Sequence, residues 1–132
     1  MALNVPDEGE NYALEAFVNK TPATNPIAKL YKNNITPSDT DTAATFTEAT
    51  FPGYASITLT GASWGAASGG VITYGSQQTW TCSGSATDDI YGYYIVSTTS
   101  NKCLWAERDA SAPFLVRNSG DAVKLTPSIG AN

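Results

Sequence analysis

The chain contains no histidine, and that absence removes much of ordinary enzyme chemistry. No Ser-His or Cys-His nucleophile pair can be assembled, and the commonest general base and zinc ligand is missing. Cysteine is nearly absent as well. Two residues, Cys82 and Cys103, cannot supply a disulfide framework. Charge is scarce, with Asp, Glu, Lys and Arg forming 14% of the chain against about 25% in an average protein. The seven Lys and Arg are thinly spread and the net charge is -5, so no basic stripe offers itself to nucleic acid or anionic lipid. No apolar run is long enough to span a bilayer. Met1 to Gly9 reads MALNVPDEG, with neither a basic n-region nor an apolar h-region, so no cleavable secretion signal is expected.

What the chain has instead is hydroxyl. Ser and Thr make up roughly a fifth of its 132 residues, about twice the ordinary share. Threonine suits a half-exposed pleated surface, so the composition points to a β-rich domain rather than a charged helical bundle. The length is that of one domain, large enough to bury roughly two-thirds of its unfolded surface without metals or disulfides.

The first 25 residues differ from the rest and are expected to form an N-terminal arm with a short helix, residues 8–18. Asp7 and Glu10 make an Asp-x-x-Glu start signal, and Leu14, Phe17 and Val18 follow at helical spacing. Asn19-Lys20-Thr21-Pro22 ends the segment, and Gly9 near its start weakens it. The apolar stripe either covers the sheet or serves an interface.

Residues 26–132 read as strands divided by turn chemistry. Ile27–Lys32 is a first strand. Tyr54–Thr60 alternates, with Ala55, Ile57 and Leu59 on one face. Val71–Tyr74 is short. Gln78–Ser83 alternates again, placing Trp80 and Cys82 inward and Thr79, Thr81 and Ser83 outward. Ile90–Val96 and Lys102–Arg108 form a hairpin around Ser97 to Asn101. The first arm carries Tyr91, Tyr93 and Ile95 on one face and Ile90, Gly92, Tyr94 and Val96 on the other. Both faces are apolar, as in a central sandwich strand or one covered by another protein. Phe114–Arg117 and Ala122–Ile129 complete the set around an Asn118 to Asp121 turn. About eight strands in one small domain predict a mainly β fold, an antiparallel β-sandwich of jelly-roll-like or Ig-like type.

Candidate chemistry is sparse. Glu107 and Asp109 stand two apart on a strand, close enough to be weighed as a glycosidase-like carboxylate pair, or else as a self-neutralising cluster with Arg108. Asp39 and Asp41 hint at a calcium loop, but Ala43 and Ala44 occupy positions where such a loop needs a ligand and a glycine. A looser calcium site around Asp88 and Asp89 competes with a simple acidic turn. The two cysteines face inward beside Trp80 and Trp105 and read as buried free thiols. Asn19-Lys20-Thr21 and Asn34-Ile35-Thr36 match sequons that matter only in a eukaryotic secretory route. No catalytic, metal or cofactor site is expected. Three Trp and seven Tyr suit core filling, a protein interface or a sugar platform through Tyr91, Tyr93 and Trp64, and no pattern separates the three.

The segments NVPDEGENYAL (Asn4 to Leu14), VNKTP (Val18 to Pro22), KLYKNNITPSDTDT (Lys29 to Thr42) and FTEATFPGYASITLT (Phe46 to Thr60) resemble a family of small tailed-bacteriophage virion structural proteins. IYGYYIV (Ile90 to Val96), LWAER (Leu104 to Arg108) and DAVKLTP (Asp121 to Pro127) continue the likeness over nearly the whole chain. The resemblance implies a capsid cement, or decoration, protein on the virion exterior, made in the bacterial host cytoplasm and not an enzyme. It implies the major capsid protein as partner, and self-association as a homotrimer, with no nucleic acid and no membrane. On that reading Leu3, Val5, Leu14, Phe17 and Val18 dock on the capsid or an adjacent copy, and Tyr91 and Tyr93 serve an interface. A tail-fibre or adhesin module binding host-surface glycans is the alternative.

Overall fold

The computed structural model describes residues 3–130. The chain is mainly β with one short N-terminal helix. In chain order the strands are β1 (Leu3–Asn4), β2 (Ile27–Tyr31), β3 (Ile57–Thr58), β4 (Val71–Thr73), β5 (Gln78–Thr81), β6 (Asp88–Ile90), β7 (Gly92–Val96), β8 (Cys103–Arg108), β9 (Phe114–Val116), β10 (Ala122–Leu125) and β11 (Ser128–Gly130). The helix α1 (Asp7–Phe17) follows β1. The main sheet has the order β1-β8-β7-β2-β3, antiparallel throughout. Three two-stranded ribbons, β5–β10, β4–β11 and β6–β9, complete the strand pairing among the described residues.

Strand β7 occupies the middle of the main sheet, and all five of its residues are buried. Its two apolar faces each need a cover. Tyr93 and Ile95 join Ala28, Leu30 and Trp105 in a core closed by residues of the ribbons: Trp80, Val123 and Leu125, Ile90 and Val116, and Ile129. Tyr94 and Val96 lie in a second cluster with Tyr31, Cys103 and Ala106. That face is covered by the loop after β2, through Ile35, Ala43 and Phe46, with the Phe46 ring stacked on Tyr94 at 4.8 Å. Apolar burial on both sides of one strand is the main stabilising contact of the fold.

Three expected strands are divided or much shortened. Ile90–Val96 breaks at Tyr91: β6 pairs with β9, while β7 pairs with β2 and β8. Tyr91 and Tyr93 therefore lie in different clusters instead of sharing a face. Ala122–Ile129 divides before Pro127, whose missing N–H cannot continue a ladder, so β10 and β11 pair with different partners. Of Tyr54–Thr60 only β3 is a strand. The Trp80 indole donates to the Ala55 carbonyl, the Leu59 N–H to the Pro26 carbonyl and the Thr60 N–H to the Tyr74 hydroxyl, which satisfies that backbone without a long ladder. The Asn118 to Asp121 turn forms as expected. Gly120 adopts φ 96°, and the Asp121 carboxylate accepts from the Arg117 and Asn118 N–H groups.

The N-terminal segment, expected as an arm with a short helix, is tied into the main sheet. β1 pairs with the outer edge of β8, Leu3 opposite Glu107 and Asn4 opposite Ala106. Beyond β1 the helix takes over the same edge. The Glu8 carboxylate accepts from the Cys103 N–H at 2.5 Å and from the Ala43 N–H at 3.3 Å, which covers donors that would otherwise be an open sheet edge. The expected Asp7 cap is replaced: Pro6 holds the cap position and the Asp7 N–H donates to the Asp39 carbonyl.

Gly9 also has a reason. A Cβ there would stand 2.8 Å from the Cys103 carbonyl oxygen and closer still to that of Leu104. In a free helix Gly→Ala stabilises by about 1 kcal/mol. Here Gly9→Ala should destabilise by about 1–3 kcal/mol, because the helix must move off β8. The midpoint of urea unfolding checks the sign, and an unchanged or raised midpoint contradicts this packing.

Candidate functional site

The outward face of α1 is the most exposed apolar surface among the described residues. Leu14 is 67% exposed, Phe17 90% and Val18 69%, so the stripe does not cover the sheet. The face turned to β8 carries Glu8, Gly9, Tyr12 and Ala16, small or anchoring residues that let helix and strand approach closely. The i, i+3, i+4 spacing is real, but it points to solvent.

This stripe continues into an open apolar groove of about 660 Å³ between α1 and the β4–β11 ribbon. Leu14, Ala13 and Val5 form one wall, and Val71, Ile72 and Ile129 the other. Glu10 is its single charged lining residue. The ribbon ends in the Gly69–Gly70 turn, with both glycines at positive φ, which brings Val71 back beside the helix with much of its side chain exposed.

The other residues predicted for an interface are placed differently. Leu3 and Val5 are half-buried against the main core, and Val5 also lines the groove. Tyr91 is half-buried with the Arg108 guanidinium over its ring at 5.1 Å. Tyr93 is buried and its hydroxyl donates to Glu107 Oε1 at 3.0 Å. The structure thus brings Leu14, Phe17 and Val18 together and buries Tyr93 apart from them.

The acidic candidates are each engaged separately. Asp41 accepts from the Ser38 N–H and Asp39 from the Asn4 side chain. Asp88 is buried, accepts from the Thr50 N–H at 2.7 Å and pairs with Lys32 at 3.4 Å. Asp89 pairs with Arg117 instead, so the two carboxylates do not converge. Glu107 and Asp109 both line a second cavity, of about 360 Å³, between the main sheet and β10. Neither its existence nor its apolar walls were legible in the sequence, because they come from strands far apart in the chain.

No protein-family model matches this chain, and no curated protein matches it.

Trp80 and Trp105 are buried, and Trp64 packs edge-on against Tyr74 and Trp105 at 5.1 and 6.2 Å. An exposed tryptophan platform for a sugar ring is not formed. Cys82 and Cys103 are free, buried and in separate clusters. Burial pushes the Cys103 thiol up to about 12, assisted by the nearby Glu8 charge, and burial likewise raises the Tyr31 hydroxyl to about 12. Both groups are held neutral by the fold. Their stabilising contribution is complete below the ordinary thiol value of 9.0 and is lost as pH rises toward 12. The urea midpoint should therefore fall as pH rises above 9.0 toward 12, and a thiol reagent should label neither cysteine until the chain unfolds. Rapid labelling of the native protein at neutral pH contradicts this burial.

Proposed function

We propose that the protein is a bacteriophage virion structural protein, a capsid cement protein that binds the outer capsid and clamps neighbouring major capsid subunits. One observation carries this reading: the apolar stripe of Leu14, Phe17 and Val18 stands in solvent on a helix whose opposite face is already committed to β8. A monomer gains nothing from such a stripe. An exposed apolar patch joined to a groove and held on a fixed helix is the form of a protein–protein contact.

The resemblance of NVPDEGENYAL and the other segments to tailed-phage virion proteins supplies the partner, the major capsid protein. The chemistry is in keeping with a passive binder. A low-charge, hydroxyl-rich surface with a net charge of -5 gives no hold on packaged DNA, which suits the capsid exterior. Each copy needs only a modest interface, because rupture of the shell must break many such contacts together. The homotrimer remains part of the proposal, with the same groove open to a neighbouring copy. The glycan-binding alternative depends on Trp64, Tyr91 and Tyr93 as a platform, and these side chains are packed against their own domain.

Because Phe17 is 90% exposed, Phe17→Glu should leave the fold and its unfolding midpoint unchanged. Burying the phenyl ring at a partner contributes about 1.5–3 kcal/mol, so binding of this variant to undecorated capsids should weaken by about tenfold or more. Co-sedimentation with capsids reads this directly. Binding at the native level would remove the helix from the interface.

A further inference from the structure

The cavity of about 360 Å³ is not used by the helix surface, and its lining shares no residue with the groove beside α1. Its walls are apolar: Leu30 and Ile90 from the buried core, Val123 and Leu125 from β10, and Phe114 from β9. Glu107 and Asp109, at and just beyond the C-terminal end of β8, bring two carboxylates to it, and Lys124 brings one ammonium. The cavity therefore carries an excess negative charge. Glu107 Oε1 is fixed by the Tyr93 hydroxyl at 3.0 Å, and Asp109 Oδ1 by the Ser111 N–H at 2.7 Å. Neither carboxylate forms an ion pair among the described residues, whereas Glu8, Glu48, Asp88 and Asp89 all do.

Two carboxylates that outnumber one ammonium, beside aliphatic walls, define a complementary occupant by its chemistry. It must be apolar along its body and positively charged at its tip. We propose that this cavity is an anchor site for a lysine side chain presented by a partner protein. The four-carbon stem lies against Leu30, Ile90 and Leu125, and the ammonium donates to the free oxygens of Glu107 and Asp109. Phe114 lines the site with about half of its surface exposed, an apolar edge for a residue beside that lysine. A sugar is disfavoured, because its hydroxyls would meet walls that offer them no partners. The inference goes beyond the capsid reading and does not depend on it.

The probes are N-acetyl-lysine N-methylamide, the norleucine analogue with the same stem and no charge, and glucose, each titrated into the ¹⁵N-labelled protein. The lysine probe should give saturable shifts at the Gly92, Val123 and Leu125 amides. Its affinity should fall about tenfold in Glu107→Gln, where the amide oxygen still accepts from Tyr93. Asp109→Asn keeps the Ser111 bond and is exposed, so it decides the matter if the first variant fails to fold. Absence of saturable shifts overturns the proposal. So does equal binding of the norleucine analogue, or saturation of the same amides by glucose. Each of these results leaves the helix surface and its capsid test untouched.

Discussion

The fold depends on a strand with no polar face. β7, Gly-Tyr-Tyr-Ile-Val, must be covered on both sides, and one short sheet cannot do that. The ribbons close over Tyr93 and Ile95, and the loop carrying Phe46 closes over Tyr94 and Val96. Gly92 is where β7 can lie tightest, since a Cβ there would also meet the Tyr31 ring at 2.8 Å. Once both covers are in place, the exposed side of the system is the β8 edge. The N-terminal segment closes it with β1 and with the Glu8 carboxylate. The helix is fixed through Glu8, Gly9 and Tyr12 on its inner face, and its apolar stripe is left outward.

The sequence carried the secondary structure where periodicity was local and unbroken. Gln78 to Ser83 alternates in the structure as it does in the sequence, with Trp80 and Cys82 buried and Thr79, Thr81 and Ser83 exposed. The two-sided burial of β7 was equally legible. What failed was parity across a change of sheet. Ile90 and Tyr93 share one core although their spacing is odd, because the chain changes partners at Tyr91. No pattern of residue types marks such a point. The helix lies within a residue of its expected bounds, but an apolar stripe at helical spacing names a face and not what it meets. The decisive residue was Gly9, which looked like a weakness in the helix and is the close-contact point with β8.

The candidate sites divide along the same line. Leu14, Phe17 and Val18 were legible as a set because they lie within one turn of helix. The cavity around Glu107 was not, since it draws its walls from β2, β6, β9 and β10. Glu107 and Asp109 meet at one cavity, whereas the adjacent aspartates that suggested a calcium site part company. Asp88 turns inward to Lys32, and Asp89 turns to Arg117. The domain presents more than one separate surface on a small scaffold. The helix stripe and the β8–β10 cavity are two such surfaces.

The measurement closest to the central claim is the copy number of this chain in purified virions, by gel densitometry against the major capsid protein. The account predicts a ratio near one-to-one or one-to-a-few, as a shell-wide lattice of clamps requires. A handful of copies per particle would contradict it and move the exposed helix to the tail.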